Sequence, residues 1–165
     1  MDEKKPYSAD DFLRSVREAR IEKRRCELRL EELHAQCEKV TASYGPLAPG
    51  GGGDDHHDGL LAAAAEQADE LTARRAYYVR RQGLVEQFIT HVPEPKHRVI
   101  LRLRYVDLLR WDGVLSGMQE YGLHYSERAM YKLHGEALAE ARRRFPAWVA
   151  RHPEVIPKDE EDETT

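Results

Sequence analysis

Apolar residues recur along this chain at the three-and-four spacing of helices. Between Ser8 and Val40 they fall at Phe12, Val16, Ala19, Cys26, Leu30, Leu33, Cys37 and Val40, with Lys23 the one charged residue in the same register. Unbroken over about four heptads, that alternation is the requirement for a coiled-coil seam. Ser8, with Asp11 three residues on, resembles a capping box in which Asp replaces the usual Glu. A second stripe runs Leu61, Ala64, Ala68, Leu71, Arg75, Tyr78, Gln82, Val85, Ile89 and Val92, and predicts a helix from about Leu60 to His91.

Residues 42–59 separate the two stripes with prolines and a run of four glycines, the composition of a flexible connector. Two helices of similar length, each ~45 Å at 1.5 Å per residue, should therefore fold back as an antiparallel hairpin over residues 8–92. Its seam includes Val16, Lys23, Leu30 and Leu33 on one side and Leu71, Tyr78 and Val85 on the other. Charge at Lys23 and Arg75, and Gln82, weaken an intramolecular seam. They predict a homo-oligomer, a dimer, in which a second copy adds stability. Val92-Pro93-Glu94-Pro95 ends the second helix sharply.

Three further helices follow over residues 93–150. Val99, Ile100, Leu103 and Val106 line the first, and Trp111, Val114, Leu115 and Met118 the second. Ser126 is a good N-cap for the third, where Met130, Leu133, Ala137 and Leu138 recur at helical spacing. A short amphipathic helix, a turn containing Gly122 and a longer capped helix follow the order of a helix-turn-helix. The predicted fold is all-α: a long coiled-coil-like hairpin, then a helix-turn-helix. After Phe145, Pro146-Ala147-Trp148-Val149 predicts a short docked segment, with Trp148 covering apolar surface.

With Met130, Leu133 and Ala137 inward, Glu127, Arg128, Tyr131 and Lys132 face outward near the start of the third helix. That end of a recognition helix approaches base edges. Arginine can bond guanine bidentately, and glutamate can accept from a cytosine amine. Ser126 and the free amides of the first turn suit a phosphate. Arg142, Arg143 and Arg144 are candidates for phosphates further along, although such a triplet is more often a solvated face. Equally, three helices with polar outer faces make an ordinary helical cluster.

Charge changes the picture through its distribution. The chain of 165 residues carries a net −4, but residues 92–152 hold eleven Lys/Arg against seven Asp/Glu. Residues 151–165 end in Asp159-Glu160-Glu161-Asp162-Glu163, an acidic tail expected to be disordered. With 34% charged residues and no apolar run of bilayer length, the chain is expected to be intracellular, in the cytoplasm, with no membrane partner. Cys26 and Cys37 cannot pair within one helix, since eleven residues rise ~16 Å. Asp54-Asp55-His56-His57-Asp58 offers metal-ligand chemistry, but contiguous residues on a glycine tether are not preorganised, and a solvated loop is the simpler expectation. No metal, no cofactor and no enzymatic activity are expected, since no nucleophile–base pair, phosphate loop or zinc spacing occurs.

Ser126-Glu127-Arg128-Ala129-Met130-Tyr131-Lys132-Leu133-His134-Gly135-Glu136-Ala137-Leu138 resembles the recognition helix of sigma factor region 4. Val99-Ile100-Leu101-Arg102-Leu103-Arg104-Tyr105 is similar to the helix that opens that region. Together with the intervening tryptophan, these segments are similar to small phage-encoded regulators of the RinA and ArpU type, formerly a domain of unknown function. The resemblance covers residues 10 to 145, and its specific part is the C-terminal block. Between Met118 and Tyr125 the chain has several residues more than the tight turn usual in that family. The resemblance implies a transcriptional regulator in a bacterial host that binds double-stranded DNA, with a hairpin for oligomerisation or for contact with host RNA polymerase. A DNA-packaging protein resembling a small terminase subunit is the alternative.

Overall fold

The computed structural model describes residues 5–43 and 54–158, the side chains of Asp54, Asp55 and His57 excepted. Among the described residues there is no strand. Helix α1 spans Ala9–Ser43 and α2 spans Asp54–Thr90. Helix α3, Pro95–Leu101, runs into a π-helical turn, Arg102–Val106. Helices α4, Trp111–Glu120, and α5, Glu127–Arg151, follow, and a 3₁₀ turn at Pro153–Val155 comes last. Among the described residues, no helix is long and apolar enough to cross a membrane.

The chain divides into two compact units, one formed by residues up to Glu18 with those from Arg81 onward, the other by Ala19–Arg80. This division does not coincide with the expected boundary at residues 92 and 93. The first turns of α1 and the last of α2 belong with the C-terminal helices because their apolar stripe is wider there. Leu13 joins Phe12 and Val16, and Phe88 joins Val85, Ile89 and Val92, all buried in one core with Phe145 and Trp148. Phe12 lies 5.8 Å from Phe88, 5.6 Å from Phe145 and 5.3 Å from Trp148, ring centre to ring centre. Such aromatic pairs add about 0.5–1.5 kcal/mol each beyond the area they bury.

Arg81 sits among these rings, only 6% exposed. Its guanidinium lies over Phe12 and Tyr7, and it donates to the Ser15 hydroxyl at 3.1 Å, to the Tyr7 hydroxyl and to the Val155 carbonyl. One side chain thus ties the start of α1 and the C-terminal 3₁₀ turn to α2. Val155 is fully buried, so the tail expected from residue 151 is packed as far as that residue. The acidic run from Asp159 lies outside the described residues.

Ser8 and Asp11 cap α1 reciprocally: the Ser8 amide donates to the Asp11 carboxylate at 3.0 Å and the Asp11 amide to the Ser8 hydroxyl at 3.2 Å. Helix α3 packs on α5 and on α4. The π turn replaces the regular helix expected through Val106, with the Asp107 amide donating to the Arg102 carbonyl at 2.9 Å. Leu108 then takes a positive φ of 56°, a conformation uncommon outside glycine. Gly117 lets α4 approach the turn, since a Cβ there would meet Leu103 at 3.0 Å. Gly122, at φ +74°, ends α4 in a Schellman arrangement: its amide donates to Gln119 and that of Leu123 to Met118. Residues 123–126 run on without helix to α5. The short docked segment expected at Pro146–Val149 is a continuation of α5, which runs through Pro146 to Arg151 with Trp148 buried.

In the second unit, Ala19, Cys26 and Leu33 are buried, while Leu30, Leu71 and Tyr78 are half-buried. Lys23 is half-buried and Arg75 exposed. The Arg75 Nε donates to Glu27 at 3.0 Å, and Lys23 Nζ lies 3.9 Å from the same carboxylate. That Arg75 bond holds the Glu27 carboxyl below its ordinary range. The reading of Lys23 and Arg75 as unpaired charges buried in a seam is therefore corrected: both reach a shared anion near solvent. Helix α2 also opens at Asp54, so the Asp54–Asp58 run is helical where a solvated loop was expected.

Candidate functional site

The start of α5 is built by its cap. Ser126 has extended backbone, and its hydroxyl accepts the Ala129 amide at 3.2 Å. From there Met130, Leu133, Ala137, Ala141, Phe145 and Trp148 turn inward and are buried. Glu127, Arg128, Tyr131 and Lys132 are left exposed on the opposite face. Among the described residues, the side chains of Glu127, Arg128 and Lys132 have no hydrogen-bond or ion-pair partner. Tyr131 is held from beneath, its ring edge-on to Trp111 at 5.0 Å. The face thus offers two uncommitted cations, a carboxylate and an amphipathic ring on a rigid helix.

Arg142 and Arg143 do not join this face. They lie about four turns along α5 from Arg128, ~20 Å at 1.5 Å per residue. Arg142 grips Asp10 with two bonds, of 2.9 and 2.7 Å, and Arg143 is paired with Glu140. Arg144 donates to Glu140 at 3.0 Å. The bond from Arg142 holds the Asp10 carboxyl below its usual range. These guanidiniums, although exposed, are each paired with one of the protein's own carboxylates.

A basic cavity of about 310 Å³ lies behind Trp111, lined by Arg14, Arg17, Arg104, Tyr105, Leu108, Trp111 and His134. Arg104 is fixed there, donating to the Leu109 carbonyl at 2.9 Å with its guanidinium 4.5 Å from the centre of the Trp111 ring. His134 shares a 3.0 Å hydrogen bond with the Tyr105 hydroxyl. Burial, and then the Arg104 charge, push its pKa down to about 4. The imidazole is neutral near pH 7, and the positive charge of the cavity is that of its arginines. Arg14 and Arg17 were missed from the sequence. They lie off the α1 stripe, and nothing in their spacing tells that this end of α1 packs with residues ninety positions away.

No family model, no curated protein and no solved structure matches this chain.

Proposed function

We propose that this chain is a sequence-specific DNA-binding transcriptional regulator, phage-encoded, with α4 and α5 acting as a helix-turn-helix and α5 as the recognition helix. The observation that carries the reading is the uncommitted polar face at the start of α5. Buried apolar residues fix the opposite side of the helix, while Arg128 and Lys132 have no partner among the described residues. A side chain with its rotamers free and its helix rigid is suited to reading base edges. Cys37 beside Leu61, and Glu27 beside Arg75, support an antiparallel hairpin for α1 and α2. That hairpin serves as the oligomerisation or RNA polymerase-contact arm.

The test is selection of binding sites from a random duplex pool with the full chain, followed by affinities for the selected site and its single-base variants. Arg128→Ala should weaken the selected site by about 1–3 kcal/mol and relax preference at one base pair. No enrichment of any sequence, or unchanged preference in Arg128→Ala, would refute the assignment.

A further inference from the structure

We infer that the cavity behind Trp111 is a backbone-phosphate site, through which the first turns of α1 help hold the duplex that α5 reads. The inference rests on the proposed role of α5 and adds a contact made by a different helix.

Three observations lead there. First, Arg14 and Arg17 are exposed and unpaired among the described residues, and they share the cavity with the fixed Arg104. Asp10 is the acid whose charge reaches Arg14, and three arginines around one cavity still make a positive concavity suited to an anion. Asp10, whose charge reaches His134, is already held by Arg142. Second, the cavity begins one ring away from the recognition face. Trp111 touches exposed Tyr131 at 5.0 Å on one side and His134 at 4.7 Å on the other. A helix with side chains, ~10 Å across, fills a major groove ~12 Å wide. The phosphates on the groove rim therefore pass within about one side chain of the helix surface, where Arg14 and Arg17 stand. Third, the local backbone is unusual: the π turn and the positive φ of Leu108 shape one wall. Such features cluster at functional sites.

Phosphate chemistry could equally be supplied by a small molecule, and the experiment separates the sources. Affinity for the selected duplex is measured against KCl concentration for the wild type, Arg14→Gln/Arg17→Gln and Arg14→Lys/Arg17→Lys. Each phosphate contact contributes about −0.9 to the slope of log K against log salt. The Gln pair should lower the slope magnitude by roughly 1–2 and weaken all duplexes alike, leaving base preference intact. The Lys pair should retain most of the slope, which a purely structural role would not require. An unchanged slope in the Gln pair overturns the inference, even where Arg128→Ala still loses base preference. So does calorimetric binding of inorganic phosphate or AMP that the Gln pair abolishes while the duplex slope stays the same. A wild type that binds no duplex removes both this inference and the reading of α5.

Discussion

Replacing Arg81 tests how the N-terminal and C-terminal ends of the chain are joined. Arg81→Ala removes donors to Tyr7, Ser15 and Val155 from a site that is 6% exposed. The Val155 carbonyl belongs to a fully buried residue, and a buried acceptor left without a donor costs about 1–3 kcal/mol. Loss of the guanidinium from the faces of Phe12 and Tyr7 adds about 0.5–2 kcal/mol. The expected sum is about 3 kcal/mol, and a chain of this size shifts its Tm by about 2–4 °C per kcal/mol, so the fall should be roughly 10 °C. Both tryptophans, Trp111 and Trp148, lie in the same compact unit as Arg81, so tryptophan fluorescence during heating and urea titration reports on that unit. Tyr7→Phe should cost about 1 kcal/mol alone. It should cost markedly less in an Arg81→Ala background, since the hydroxyl has then already lost its donor. A melting point for Arg81→Ala within ~2 °C of the wild type would show that the ring cluster holds the ends together without the arginine.

Two further predictions follow from the cap and the buried imidazole. Ser126→Ala should destabilise the unit by about 1 kcal/mol, while Ser126→Asp stays close to the wild type; unchanged stability in Ser126→Ala would mean the hydroxyl bond to Ala129 contributes nothing. Because His134 is depressed from 6.5 to about 4, the unfolded chain takes up a proton that the folded one refuses. Its contribution to stability is complete above about pH 6.5 and is lost as pH falls toward 4. Urea midpoints should therefore decline more steeply over that window in the wild type than in His134→Gln, and parallel curves would show that His134 titrates normally.

Helical periodicity determined the main apolar face of α1 and of α5. The α1 register from Phe12 to Val40, the inward set Met130, Leu133 and Ala137, the exposed set Glu127, Arg128, Tyr131 and Lys132, and the Ser126 cap all follow from spacing or from chemistry within four residues. The Ser8–Asp11 box is of the same kind. Tertiary structure decided what depends on residues distant in sequence. Burial of Phe145 and Trp148 against Phe12 and Phe88 accompanies helix that continues through Pro146, although proline removes a helical donor. The same packing gathers the ends of α1 and α2 into the C-terminal unit. A guanidinium can be buried at Arg81 because oxygens from Tyr7, Ser15 and Val155, up to 74 residues away, converge on it. Arg142 is paired with Asp10 across 132 residues. Arg14 and Arg17 likewise reach the Trp111 cavity only through the fold. Spacing along one helix fixes which side chains share a face, but the partner that each face meets is set by packing and charge complementarity between elements far apart in the chain.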